Sequence, residues 1–145
     1  MPALNRYGYW PHSGEIDILE HLGKTGEVTN GYSTIHFANG GGAHEQRFRV
    51  ATGRDWSQDW HTWGCLWDKT PDGREYFRFY VDDVQYGEIT EQEWSARGRE
   101  PGAPFNQAFY VIFNLAVGGP WAGPAGLSVS GKYLEIDWVR VYRAP

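Results

Sequence analysis

Three carboxylates crowd one short segment, Gly14-Glu15-Ile16-Asp17-Ile18-Leu19-Glu20. On an extended strand, residues two apart share a face, so Glu15 and Asp17 point one way and Ile16 and Ile18 toward the core. Glu20 falls on the wrong face of a regular strand. Leu19 reads as an inserted residue, and a β-bulge there returns Glu20 to the face of Glu15 and Asp17. Like charges this close raise the proton affinity of at least one group and couple their titrations. A fold gains nothing from such repulsion. Retaining glycoside hydrolysis requires it, with an ionised carboxylate as nucleophile and a protonated carboxyl about 5–5.5 Å away as general acid. Asp17, between them, can hydrogen-bond the nucleophile and supply a negative field that keeps Glu20 protonated. The plainer alternative is a solvated polar face on an edge strand.

Other residues fit a sugar site. Trp10, in Tyr9-Trp10-Pro11, stands close in sequence to the acids, and carbohydrate sites need flat apolar platforms. Trp121 also sits in a Gly/Pro loop, which favours exposure and stacking. Trp60, Trp63, Trp67 and Trp138 lie on strand segments and are expected in the core, and Trp94 is expected to anchor a short helix. His36 faces away from Ile35 and Phe37, as a site residue or as a surface histidine. The other histidines show no metal-ligand spacing around it. Asn114 is the one strongly polar residue of an apolar strand, where a buried amide needs a partner. Sugar hydroxyls or a neighbouring loop would serve. Cys65, the only cysteine, is expected to fill core space; no intrachain disulfide can form.

The elements that must position these groups are mostly strands. Met1 to Gly14 reads as a Gly/Pro/Asn-rich leading loop. Strand character follows at Glu15–Leu22, Gly31–Ala38, Gln46–Thr52, Trp60–Trp67, Arg74–Val81 and Val84–Ile89, with Asp82-Asp83 as a hairpin turn. Thr90–Arg97 is the one expected helix, with Thr90 and Glu93 spaced for a capping box. Ala108–Val117, apolar on both faces, is expected as a buried central strand, and Tyr133–Tyr142 as a closing strand. With no repeats, linkers or crossover helices, one domain over residues 1–145 is expected, an all-β two-sheet sandwich or jelly roll.

Composition supports this and narrows the partners. Aromatics make up 17% of the 145 residues, including eight Trp, and the formal net charge is −5. No basic face exists to displace counterions from a nucleic acid. No apolar run reaches a membrane-spanning length, and the leading residues are not expected to act as a signal peptide.

Trp10-Pro11-His12-Ser13-Gly14-Glu15-Ile16-Asp17-Ile18-Leu19-Glu20 resembles the active-site strand of glycoside hydrolase family 16, in the bulged form of laminarinases. The resemblance continues through Thr34-Ile35-His36-Phe37, Trp60-His61-Thr62-Trp63, Phe79-Tyr80-Val81-Asp82 and Pro104-Phe105-Asn106-Gln107. It resumes at Asn114-Leu115-Ala116-Val117-Gly118-Gly119-Pro120-Trp121 and ends with Ile136-Asp137-Trp138-Val139-Arg140-Val141-Tyr142. It implies a concanavalin-like jelly roll with an open cleft, Glu15 as nucleophile, Asp17 as its assistant and Glu20 as acid/base. His36 would sit near the acids, and Asn114 would contact sugar.

The implied activity is retaining endo-hydrolysis of β-1,3-glucan by a secreted enzyme that needs no cofactor. A non-catalytic glucan-binding module or a truncated, inactive relative is the alternative class, and agar- or carrageenan-type galactan the alternative substrate. Asp137 resembles an aspartate that helps hold a structural calcium in relatives. Its usual co-ligands belong to a segment that precedes the leading loop in the family. On that comparison the chain is expected to be truncated at its N-terminus, with exposed or swapped strands leading to a homodimer.

Overall fold

The structure is a computed structural model; it describes residues 1–39, 42–95, 99–126 and 130–143. The chain forms two compact units, residues 1–111 and 112–145. Their boundary falls inside the apolar run 108–117.

Period-two alternation builds the first unit. Strands β1 (Glu15–His21), β2 (Asn30–Asn39) and β3 (Gly42–Ala51) form one antiparallel sheet in that order. Strands β4 (Trp63–Lys69), β5 (Glu75–Val81) and β6 (Val84–Thr90) form a second. Along β5, Glu75, Phe77, Phe79 and Val81 are buried and the residues between them only partly so. Ile35 and Phe37 of β2 join Phe77, Phe79, Ile89, Trp94 and Phe105 in one cluster, each 6% exposed or less. Burial of each such side chain stabilises by roughly 1.5–3 kcal/mol. The sheets approach closely where Gly31 meets Trp63: a Cβ on Gly31 would run into the indole.

Turn chemistry agrees with the expectations. Asp82 and Asp83 both take positive φ, 49° and 65°, the two-residue hairpin turn that matches strand twist. The capping box forms, with Thr90 N donating to Glu93 Oε2 over 2.8 Å. The helix it starts, α1 (Glu91–Trp94), is one turn long; it ends at Ser95 in extended backbone, short of Arg97, which lies outside the described residues. Trp94 anchors it as expected, buried against Phe77 and Phe105.

Other expectations are corrected. Ile18 is 38% exposed rather than in the core, because the bulge turns it outward. Trp60 is 65% exposed and precedes β4. The buried indole there is Trp56, in a 3-10 turn (Trp56–Gln58), whose Nε1 donates to Thr29 O. Trp67 and Trp138 are also exposed, at 39% and 46%. The expected buried strand at 108–117 is not formed. Residues 108–110 pair with the chain's first residues, through Ala3 N to Ala108 O and Tyr110 N to Met1 O. From Val111 onward the run is exposed and without a ladder among the described residues. Tyr133–Tyr142 is likewise exposed and irregular. An apolar pattern supplies only one side of a strand; the ladder and the buried face need a neighbour. No helix among the described residues is long and apolar enough to cross a membrane.

Candidate active site

The acidic strand is bulged. Glu15, Ile16 and Asp17 pair with His36, Ile35 and Thr34, but the next paired residues are Glu20 and Tyr32. Three steps along β1 thus match two along β2, and Ile18 and Leu19 together oppose Ser33. Ser33 Oγ donates to Ile18 O at 2.6 Å, holding the irregular backbone. The extra residue restores the side-chain alternation, so Glu20 lies on the face of Glu15 and Asp17.

Each acid has a different partner. Trp10 Nε1 donates to Glu15 Oε2 at 2.6 Å. His36 Nε2 lies 3.1 Å from Asp17 Oδ2. Thr34 Oγ1 donates to Glu20 Oε2 at 2.5 Å. Burial pushes the proton affinity of Glu20 up, against the opposing pull of the Thr34 hydroxyl; Asp17 adds to the rise. The hydrogen bond to Asp17 raises that of His36, against desolvation. Donor atoms of Glu15, Asp17 and His36 all lie within 4.8 Å of one another, with His36 in contact with Asp17 and Glu15 held by Trp10.

The loop carrying Trp10 is pinned from below. Buried Ser13 accepts from Tyr7 N and donates to Gly8 O. Gln107 Nε2 donates to Ser13 O. Gly14 then turns the chain into β1 at φ +81°, with Phe105 where a Cβ would stand. The Trp10 ring is 55% exposed and 5.5 Å from the His36 ring, so its open side can take a sugar face.

The first unit therefore brings Trp10, Glu15, Asp17, Glu20 and His36 together. Asn114 and Trp121 belong to the second unit, where both are exposed. Asn114 is not the buried amide of a central strand, since that strand does not form, and its desolvation cost does not arise. Asp137 is exposed and, among the described residues, joins no group of three His, Cys, Asp or Glu donors.

Sequence reasoning missed Thr34, Glu45 and Arg47. Strand β3 begins at Gly42, four residues earlier than expected, and its register sets Glu45 opposite His36 and Arg47 opposite Thr34. Two charges spaced two apart beside a polar loop were the available signal.

The pattern of the glycosyl hydrolases family 16 matches residues 4–140. The chain belongs to this family. The two antiparallel sheets with one short α-helix are those of its jelly-roll sandwich. Among family 16 relatives, the "Beta-glucanase" of Rhodothermus marinus is 36% identical over 99% of this chain and 50% of its own length. The "Glucan endo-1,3-beta-glucosidase" of Cryptopygus antarcticus is 38% identical over 85% of this chain and 44% of its own length. The "Glucan endo-1,3-beta-glucosidase A1" of Niallia circulans is 31% identical over 99% of this chain and 21% of its own length. The chain thus spans half or less of the length of these relatives. No solved structure matches it.

Proposed function

We propose that this chain cleaves β-1,3-linked glucan internally, with retention of configuration. Glu15 attacks the anomeric carbon while Glu20 gives its proton to the departing glycosidic oxygen, leaving a glycosyl ester on Glu15. Glu20, now a carboxylate, takes a proton from water as that water attacks the ester and releases the sugar. Asp17, hydrogen-bonded to His36, keeps negative charge beside the reacting pair, and Trp10 offers its ring to a sugar unit. Substrate of this size is met outside the cell, so an extracellular setting is part of the proposal.

The supporting observation is the bulge between Asp17 and Glu20, which puts a carboxyl of raised proton affinity on the face of Glu15. Membership of family 16 and the names of the relatives support glucan as the substrate class. A reducing-sugar assay on laminarin, with the Glu15→Gln and Glu20→Gln variants beside the wild type, tests it. Short oligosaccharides that disappear in both variants are expected. Full activity of Glu15→Gln would sink the assignment. A folded but silent wild type retained on a glucan column would point to a binding module.

A further inference from the structure

Behind the acidic strand, three residues stand in register across the sheet: Asp17 on β1 opposite Thr34 on β2, and Thr34 opposite Arg47 on β3. Thr34 is fully buried, and its hydroxyl makes two contacts of opposite sense. Arg47 Nε donates to Thr34 Oγ1 at 3.3 Å, and Thr34 Oγ1 donates to Glu20 Oε2 at 2.5 Å. A guanidinium has only donors, so the hydroxyl must be the acceptor on that side. Its single hydrogen is left for Glu20 Oε2. Arg47 is itself held by Glu45 Oε1, 3.2 Å from its Nη2.

Taking Glu20 as the general acid, we propose that Thr34 and Arg47 are positioning residues that fix which Glu20 oxygen carries the catalytic proton. Oε2 is kept as an acceptor by the Thr34 hydrogen, so the transferable proton resides on Oε1. A proton on Oε2 would leave the Thr34 hydrogen without an acceptor in a buried place, which costs free energy. Donation from a guanidinium also polarises the hydroxyl and strengthens its bond to the carboxylate. Among the described residues, the charged and titratable groups around Glu20 are Asp17 on β1, His36 and the cross-strand Tyr32 on β2, and Arg47 on β3, with Glu45 reaching it through Arg47 and His36.

Both contacts favour the carboxylate form, so removing either raises the proton affinity of Glu20 further. Thr34→Val keeps shape and removes the donor; Arg47→Met keeps length and removes the charge. Each should move the alkaline limb of the laminarin kcat profile upward, on the order of half a pH unit. Each should also lower kcat by about tenfold, with KM little changed, as the proton spreads over both oxygens. Thr34→Ser should restore both values.

The same variants are read without turnover by a carbon-13 NMR titration of the Glu20 side-chain carboxyl in the full chain. A midpoint raised in Thr34→Val and Arg47→Met, and restored in Thr34→Ser, is expected. Unchanged midpoints would overturn the relay even in an active enzyme. Shifted midpoints in a chain that leaves laminarin uncut would overturn the hydrolase assignment and keep the relay. Should Thr34→Val fail to fold, Arg47→Met, at a partly exposed site, decides the question.

Discussion

The indole N–H of Trp10 points at the carboxylate of Glu15, 2.6 Å from Oε2. The platform beside the acids is therefore also a donor to the proposed nucleophile. Trp10→Phe keeps a flat ring and removes the donor. A hydrogen bond to a charged group contributes about 1.5–3 kcal/mol. The expected result is a fall in laminarin kcat/KM on the order of 10- to 100-fold, carried mainly by kcat. A change confined to KM would show that Trp10 serves only as a stacking surface.

Glu20 holds its proton above the ordinary carboxyl value of 4.5, chiefly through burial. An acid with raised folded affinity contributes most stability below its unfolded value. That contribution is lost as pH rises from there through the folded value. Glu20→Gln should therefore match the wild type in Tm near pH 4 and exceed it near pH 8. A difference of 1 kcal/mol corresponds to roughly 2–4 °C in Tm. Thermal unfolding across that range checks this, and a variant less stable near pH 8 would contradict it.

His36 is governed by the same linkage. Its affinity is raised above 6.5 by the bond to Asp17, so it stabilises the fold below about that pH. The contribution fades as pH climbs through the folded value. The Tm deficit of His36→Gln is expected to be largest near pH 6 and to shrink toward pH 9. A deficit independent of pH would place the effect in packing rather than in charge.

Gly14 immediately precedes Glu15, at φ +81°, and a Cβ there would lie 2.7 Å from Phe105 Cε1. Backbone strain and overpacking act together at this position, at about 1–3 kcal/mol each. Gly14→Ala should lower Tm by several degrees and lower laminarin kcat in the folded fraction, because β1 starts from a displaced turn. Chemical unfolding followed by single-turnover kinetics would separate the two effects.

The Cys65 thiol, packed against the core cluster, is pushed up to about 12 by burial. Only the thiolate reacts with disulfide reagents. Native protein near pH 8 should react far more slowly than a free thiol, and at the ordinary rate once unfolded. Rapid labelling of the native chain would show that the β4 face opens.

Much of the site was legible because strand alternation is a local rule. Three acids spaced 15, 17 and 20 imply either a misplaced glutamate or a bulge, and the register shows the bulge. Thr90 with Glu93 and the Asp82-Asp83 pair likewise make their structures with residues close in sequence. Residues 111–117 and 133–142 carry an equally clear pattern and form no ladder, because pairing belongs to two segments and a pattern describes one. The roles of Thr34 and Arg47 were hidden for a related reason. In sequence, Arg47 is a solvated charge near the start of a strand, thirteen residues from Thr34. Only the register of three strands puts it behind the hydroxyl that meets Glu20. The sequence by itself determined the chemistry on β1, the bulge that gathers it and the sheets that carry it. Tertiary structure alone decided what lies behind each acid, because cross-strand partners follow from pairing register, which no single segment encodes.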